Sequence, residues 1–216
     1  MSNRSAADTI TIGVLGFQGD IEENVAATRQ ALDELKVDGK IQLVRYAEDV
    51  EKIDALILPG GESTVQSALA AIQRSLPVLK KRIAEGMPVL GTCAGMIMLS
   101  KRAYDHVIGE TKQKTIGNLD VVIERNAFGR QNDSFETDLR IDMLGKGGTF
   151  RGVFIRAPAV SEVGKDVEVI ARHAGKIVAV KQKNIIGTAF HPELAGDARI
   201  HKQLVKMAFD HKGATK

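Results

Sequence analysis

The chain of 216 residues carries a formal net charge of +3, and 44% of its residues are hydrophobic and 26% charged. This balance excludes a disordered or collagen-like chain, and the length predicts one domain over residues 1–216, of which 1–9 form a flexible polar tail. Because the basic residues are scattered and aromatic residues make up only 4%, no nucleic-acid partner is expected.

The first hundred residues alternate strand-like and helix-like segments. The polar tail lacks the apolar core of a signal peptide, which indicates a cytoplasmic protein. A β-branched run predicts a strand at 9–17, and Asp20 is placed to cap the helix that follows. Further strands are predicted at 41–46, 53–58 and 88–90, and further helices begin at Glu62 and after Pro77. This β-α-β-β-α-β-α order is typical of a parallel sheet with helices on both sides.

The second half of the chain changes character. Short strand-like runs separated by Gly, Asn, Asp or Pro are predicted at 116–124, 135–141, 152–155, 167–172, 176–181 and 185–190, before a final helix at 197–209. The predicted fold is therefore a three-layer α/β domain, with a mostly parallel central sheet, helices on both faces and added antiparallel strands in the second half. The longest apolar run, 87–99, falls short of the roughly 20 residues of a membrane helix, so no membrane partner is expected.

The only cysteine, Cys93, occupies a Gly-x-Cys-x-Gly turn between a predicted buried strand and a helix. This is the thiol counterpart of the nucleophile elbow, whose glycines permit a tight turn and close packing. At a helix start the unpaired N–H groups favour a thiolate, and the N–H of Ala94 can face an oxyanion. A lone cysteine is otherwise usually a small buried hydrophobe. Without a second cysteine or a Cys/His cluster at ligand spacing, neither a disulfide nor a metal site is expected.

A cysteine nucleophile requires a base, and often a third group that orients the base. His191 is the candidate, because it follows the apolar run 185–190 and precedes Pro192 and Glu193. Strand ends of parallel sheets gather sites, so Cys93 and His191 are expected to lie together, although a capped strand end would explain His191 equally well. The remaining histidines are expected to be exposed and non-catalytic: His106, His173, His201 and His211.

The turn at 58–64 leaves a third predicted strand at the same edge of the sheet. Its Gly60-Gly61 pair can bring bare N–H groups against a ligand, as the second half of an oxyanion hole. Taken alone, a Gly-Gly pair more often serves simple turn geometry. No Gly-Lys-Ser/Thr follows, so the turn is not a phosphate-binding loop.

Six stretches carry a resemblance to a known family: GVLGFQGDIEEN (13–24), LPGGEST (58–64), GTCAGMIMLS (91–100), ERNAFGRQNDSFE (124–136), GVFIRAP (152–158) and FHPEL (190–194). In order and spacing they resemble the class I glutamine amidotransferase family, and within it the glutaminases of pyridoxal 5′-phosphate synthases. The arginine-bearing stretches at 124–136 and 152–158 separate this group from other amidotransferases. The resemblance covers the chain from about residue 10 to its end and implies a single glutaminase domain.

The resemblance implies the hydrolysis of L-glutamine to glutamate and ammonia through a cysteine thioester, without a cofactor or a metal. Cys93 would attack the side-chain amide, His191 would move the protons and Glu193 would orient the imidazole. The N–H groups of Gly61 and Ala94 would hold the oxyanion. The positions that match the family's glutamine pocket are Gly61, Glu62, Ser63, Arg125, Ile155 and Arg156. From the residues alone, the two arginines are equally explained by surface ion pairs.

The resemblance also implies a partner: a separate synthase subunit that receives the ammonia and makes pyridoxal 5′-phosphate, within a large hetero-oligomer. By this analogy the isolated chain would be nearly silent, and docking would complete its oxyanion hole. Gln18, Gly19 and Asp20 match the region that meets the synthase. Two features depart from the family pattern: Asn24, where many relatives carry a histidine, and the leading extension of about eight residues. Both concern the docking contacts.

Three other readings remain open. The chain could be the glutaminase of another amidotransferase of the same fold, a free-standing cysteine hydrolase of γ-glutamyl peptides, or a non-catalytic docking module. Activation by the synthase subunit separates the first, activity without a partner identifies the second, and labelling of Cys93 by a glutamine-like electrophile distinguishes the third from an enzyme.

Overall fold

The computed structural model describes residues 9–105, 109–111, 113–129, 134–145 and 148–214. The predicted tail lies outside this range except for Thr9, and His106 lies outside it as well. No helix in the described part of the chain is long and apolar enough to cross a membrane.

Strands and helices alternate in the first half of the chain. In order they are β1 (Ile10–Leu15), α1 (Ile21–Leu35), β2 (Gly39–Val44), α2 (Ala47–Val50), β3 (Ala55–Leu58), α3 (Ser63–Ile72), α4 (Ser75–Ala84), β4 (Val89–Thr92) and α5 (Ala94–Leu99). Helix α2 was not predicted, because it is only four residues long. Every other element lies within a few residues of its predicted position, because apolar runs and Gly or Pro breaks mark their ends.

The second half is mainly β-structure. It contains β5 (Ser100–Asp105), β6 (Gly109–Glu110), β7 (Leu119–Glu124), β8 (Ser134–Arg140), β9 (Thr149–Ile155), β10 (Ala159–Val163), β11 (Glu168–His173), β12 (Lys176–Gln182), β13 (Ile185–Thr188) and α6 (Arg199–Ala214). Short 3-10 turns cover Asp142–Leu144 and Pro192–Leu194.

One large sheet runs through both halves, in the order β2-β1-β3-β4-β13-β12-β10-β7-β5-β6, and β11 pairs with β12 outside this path. At one end of this order, the five neighbouring strands β2, β1, β3, β4 and β13 run parallel to one another. Strands β12, β10 and β7 continue the sheet, each antiparallel to the strand before it. Helices α1 and α6 pack together beside β1, while α3 and α5 pack together beside β3. The predicted three-layer α/β fold with a mostly parallel sheet is confirmed.

The centre of the sheet is fully enclosed. All residues of β3, β4 and β13 are buried, and their sequences ALIL, VLGT and IIGT contain no charged side chain. Parallel strands covered by helices on both faces require this unbroken burial. The sheet therefore holds the ends of β3, β4 and β13 at fixed neighbouring positions, and each of the three predicted site segments begins at one of these ends.

Three features of the second half differ from the predicted arrangement. The sequence did not predict β5, β6 or β10. Charged or polar residues interrupt SKRAYD and AVSEV, which face solvent along part of their length, and β6 has only two residues. Within the described part of the chain, strands β8 and β9 pair only with each other, as a separate ribbon. Strand β13, grouped with the antiparallel strands, is antiparallel to β12 but parallel to β4, where Ile185 pairs with Val89.

Candidate active site

Cys93 occupies the turn between β4 and α5. Its backbone has φ 49° and ψ −103°, a sparsely populated region for a residue with a side chain, and its N–H donates to the carbonyl of Thr188 at 2.7 Å. A Cβ on Gly95 would lie only 1.9 Å from the carbonyl oxygen of Leu58, so a glycine is required where α5 begins beside the end of β3. This strained, tightly packed strand-to-helix turn has the form of a nucleophile elbow.

His191 follows β13 and is held by its backbone, whose N–H donates to the carbonyl of Val153 at 2.8 Å. Pro192 opens the 3-10 turn that carries Glu193 back toward the histidine. The Nδ1 atom of His191 lies 2.9 Å from Oε1 of Glu193, and both side chains are almost completely buried. The acid two residues after the histidine therefore reaches its ring.

A second carboxylate meets the same nitrogen. Oδ2 of Asp20 lies 3.0 Å from Nδ1 of His191. Asp20 occupies the N-cap position of α1, but its side chain makes no capping hydrogen bond. The prediction that Asp20 caps this helix is therefore wrong for its side chain, because the carboxylate faces the histidine instead.

The surroundings of His191 favour its charged form. Burial by itself lowers the pKa of His191, but its interactions with Asp20, Cys93 and Glu193 outweigh burial and raise the pKa to about 12. The hydrogen bond with His191 in turn lowers the pKa of Asp20. Because the acids occupy Nδ1, Nε2 is the nitrogen available for proton exchange; it is buried and makes no hydrogen bond within the described residues.

The Gly60-Gly61 turn lies against these groups. A Cβ on Gly60 would lie 2.3 Å from Cε1 of His191 and 2.6 Å from Oδ2 of Asp20, so any side chain at this position would displace them. Gly61 has φ +138°, a conformation that favours glycine. Both glycines of the predicted oxyanion turn are therefore required by the local geometry.

Gln18 and its neighbours pack on this turn. Oε1 of Gln18 accepts a hydrogen bond from the backbone N–H of Glu62 at 2.8 Å, and Gln66 donates to the carbonyl of Gln18 at 2.9 Å. Gln18 and Gly19 are exposed to solvent. The segment predicted to meet a partner thus touches the predicted oxyanion turn directly.

A small cavity opens beside Cys93. Its volume is about 120 Å³, below the ~300–1,000 Å³ of sites for drug-sized ligands, so it suits a single amino acid. The lining contains every residue predicted to bind substrate or oxyanion: Gly61, Glu62, Ser63, Ala94, Arg125, Ile155 and Arg156. Sequence reasoning missed three further lining residues, Ile97, Asn126 and Pro158, although all three lie inside the stretches that carry the resemblance.

Charged groups of both signs surround this cavity. Nη2 of Arg125 lies 2.9 Å from Oε1 of Glu62. Burial raises the pKa of Glu62, but hydrogen bonds from Thr64 and the charge of Arg125 lower it below its ordinary value. Arg156 adopts a left-handed backbone, with φ 44°, and forms no ion pair with any described residue. The cavity therefore offers an acid and an unpaired arginine to a zwitterionic ligand.

The expectation of exposed histidines is wrong at three positions, of which His211 on α6 is half-buried. His201 is buried, and its Nε2 lies 3.2 Å from Oδ1 of Asn24; burial lowers its pKa to about 4. His173 is half-buried among the rings of Phe128, Phe135 and Phe154. The charged neighbours of His201 in the sequence concealed its burial, because on a helix they point to another face.

Asp20, His191 and Glu193 also offer three potential metal ligands within 4.8 Å of one another. Both acids face Nδ1 of the single histidine within hydrogen-bond distance. This arrangement orients and charges an imidazole, so we assign no metal to it.

Comparison with known proteins shows which family the chain resembles. The sequence profile of the SNO glutamine amidotransferase family matches residues 14–210. The chain is 44% identical over 201 residues to the pyridoxal 5′-phosphate synthase subunit PdxT of Nitrosopumilus maritimus, covering 93% of this chain and 98% of the relative. It is 48% identical over 196 residues to the PdxT subunit of Archaeoglobus fulgidus, covering 91% and 97% of the two chains.

The fold is likewise similar to solved structures. A crystal structure described as a glutamine amidotransferase superposes with a TM-score of 0.78 at 41% identity, covering 91% of this chain and 98% of the other. The PurLQS structure from Thermotoga maritima superposes with a TM-score of 0.62 at 17% identity, covering 94% and 97%, and shows a likeness of fold alone.

Proposed function

The chain belongs to the SNO glutamine amidotransferase family, and from this membership we propose that Cys93, His191 and Glu193 hydrolyse the side-chain amide of L-glutamine. The observation that carries the proposal is the buried contact of Glu193 with Nδ1 of His191, at 2.9 Å, behind a strained cysteine elbow at the edge of a small polar cavity. A Cys-His-acid arrangement of this kind performs acyl transfer in several unrelated folds.

In the first half of the reaction, the sulfur of Cys93, with its proton held on Nε2 of His191, attacks the amide carbon of glutamine. The N–H groups of Gly61 and Ala94 stabilise the oxyanion of the tetrahedral intermediate. His191 then returns the proton to the nitrogen, the C–N bond breaks, and ammonia leaves a γ-glutamyl thioester on Cys93. Glu193 keeps the imidazole oriented and stabilises its charge.

In the second half, a water molecule gives a proton to Nε2 of His191 and its oxygen attacks the thioester carbon. The same N–H groups stabilise the second tetrahedral intermediate. The C–S bond breaks and glutamate leaves, its new carboxyl group giving its proton to solvent. The proton that His191 took from water stays on Nε2, opposite the freed sulfur of Cys93. One water is consumed for each glutamine, and the enzyme returns to its starting state.

The cavity supports glutamine as the ligand. Arg156, which has no ion-pair partner among the described residues, binds the α-carboxylate, and Glu62 binds the α-ammonium group. Ser63, Arg125 and Ile155 complete the walls. The side-chain amide then points toward Cys93, the lining residue that carries the nucleophile.

The relatives named above support a partner for this reaction. They are named as subunits of pyridoxal 5′-phosphate synthase, so this chain supplies ammonia to a synthase subunit within a hetero-oligomer. Gln18, Gly19 and Asp20 contact that subunit, since the first two are exposed beside the Gly60-Gly61 turn. One domain carries the whole site, and the chain works in the cytoplasm.

The test measures ammonia release from glutamine by the purified chain, with and without a pyridoxal 5′-phosphate synthase subunit. We expect turnover that rises sharply with the subunit and disappears in Cys93→Ala. Strong turnover without any partner would instead identify a free-standing hydrolase. Absence of ammonia release under both conditions would disprove glutaminase activity.

A further inference from the structure

We propose that Asp20 is a positioning residue for His191: a second carboxylate that, together with Glu193, fixes the imidazole ring through its Nδ1 atom. The inference rests on the proposed function only in that His191 is the proton carrier. The control of the ring's orientation and charge by Asp20 is a property of the folded chain and does not depend on turnover.

Two elements from distant parts of the chain bring acids to the same nitrogen. Asp20 comes from the start of α1 and lies 3.0 Å from Nδ1, while Glu193 comes from the turn after β13 and lies 2.9 Å from it. The single hydrogen on Nδ1 is therefore shared between two acceptors. With both acids in contact, the ring is held from two directions, and Nε2 keeps a fixed orientation.

The backbone of Asp20 is fixed on both sides. Its N–H donates to the carbonyl of Gly60 at 3.3 Å, and its own carbonyl accepts from Nδ2 of Asn24 at 2.8 Å. Gly60 has no side chain, and a Cβ there would collide with both the Asp20 carboxylate and the histidine ring. The approach of Asp20 to His191 therefore depends on the Gly-Gly turn as well.

A buried polar pair supports Asn24 in turn. Asn24 and His201 are 0% and 1% exposed, and Nε2 of His201 lies 3.2 Å from Oδ1 of Asn24. Because Nδ2 of Asn24 donates to Asp20, Oδ1 must accept, so His201 carries its proton on Nε2. Burial lowers the pKa of His201, which keeps it neutral. These hydrogen bonds connect His201 on α6 to Asp20 through Asn24 on α1. They give a structural role to Asn24, the residue at which the chain departs from the family pattern.

The charges around the imidazole explain why a second acid matters. Asp20 faces His191 from α1, Glu193 from its own turn, and Cys93 from the β4–α5 turn. An opposite charge in direct contact typically raises a histidine pKa by ~1–3 units. Asp20 therefore favours the imidazolium form of His191, and its removal should release the imidazolium proton at lower pH.

The experiment is an NMR titration of the isolated chain labelled with ¹⁵N-histidine, with His191 assigned by its missing signals in His191→Asn. We expect His191 to stay largely imidazolium up to pH 9 in the native chain. In Asp20→Asn its midpoint should fall by about one pH unit or more. Asp33→Asn, which removes the same charge from an exposed position on α1, should leave the midpoint unchanged.

An unchanged midpoint in Asp20→Asn, or an equal shift in Asp33→Asn, would overturn the proposal. If Asp20→Asn does not fold, as judged by circular dichroism, Asp20→Ala gives the same measurement. In the complex with the synthase subunit, kcat should fall more than KM rises in Asp20→Asn, because Asp20 does not line the glutamine cavity.

The two proposals fail separately. The titration requires no turnover, so it tests Asp20 even if the chain released no ammonia. Conversely, glutaminase activity that depends on Cys93 would stand even if Asp20→Asn left the His191 titration unaltered.

Discussion

Glu193 makes its contact with His191 at a price in solvation, since its side chain is 0% exposed and its Oε2 has no hydrogen-bond partner within the described residues. A buried acid of this kind is tolerated where its interaction with a charged imidazole offsets the lost hydration. We therefore expect Glu193 to contribute to catalysis through His191 and not to the stability of the fold.

We expect Glu193→Gln to reduce kcat for ammonia release by about 100-fold or more, because the amide keeps the shape of the side chain but not its charge. Steady-state kinetics in the presence of the synthase subunit measures the loss. Glu162→Gln, an exposed acid on β10, is the control and should retain activity. A Glu193→Gln enzyme within twofold of the native rate would remove Glu193 from the mechanism.

The raised pKa of His191 also predicts a pH dependence of stability. Because the pKa is higher in the folded chain, about 12, than in the unfolded chain, the stabilisation is complete below about pH 6.5 and declines as pH rises toward the folded pKa. The two proteins to compare are the single variant Cys93→Ser and the double variant Cys93→Ser with His191→Asn. Neither contains a thiol, so the difference between them reports on His191.

The difference in free energy of unfolding between these two proteins should shrink from pH 6.5 to pH 9, by up to about 1.4 kcal/mol per pH unit. Urea unfolding followed by circular dichroism at several pH values measures it. A difference that stays constant over this range would mean that His191 has the same pKa in the folded and unfolded chains.

At the scale of elements, the turn between β3 and α3 is the most constrained part of the site. We expect Gly60→Ala to destabilise the fold by about 1–3 kcal/mol, as overpacking of a close contact does, and to abolish ammonia release. The added methyl group would lie where His191 and Asp20 now meet. Thermal unfolding and activity assays measure both effects.

Gly213→Ala is the matched control, since apart from its chain neighbours and its own helix backbone no atom of the described residues lies within 4 Å of the position that its Cβ would occupy. If Gly60→Ala kept native activity and stability while folding normally, the described packing of this turn against His191 would be incorrect.

Sequence reasoning found elements and residues for which a local signal exists. Strand ends marked by Gly or Pro, the cysteine elbow and the His-Pro-Glu turn follow from local chemistry. The contact between Asp20 and His191 has no such signal, because an acid at a helix start already has a sufficient explanation as a cap. The burial of His201 and the parallel pairing of β13 depend on tertiary packing that neighbouring residues do not encode.

At the scale of the whole molecule, the large sheet predicts a single unfolding unit. Strand β13 lies between β4 and β12, so the two halves of the chain share one hydrophobic core. We expect urea unfolding by circular dichroism and the exposure of the Cys93 thiol to a colorimetric reagent to have the same midpoint. Separate midpoints would indicate that the second half forms its own domain.

The position of β13 has a consequence for biosynthesis. Val89 pairs with Ile185, so the strand that completes the centre of the sheet leaves the ribosome long after its neighbour β4. Contacts between such distant residues form slowly, because a long loop must close first. While residues 94–190 are being made, a growing chain therefore carries the Cys93 thiol without its histidine, and the proposed Cys93–His191 pair can form only afterwards.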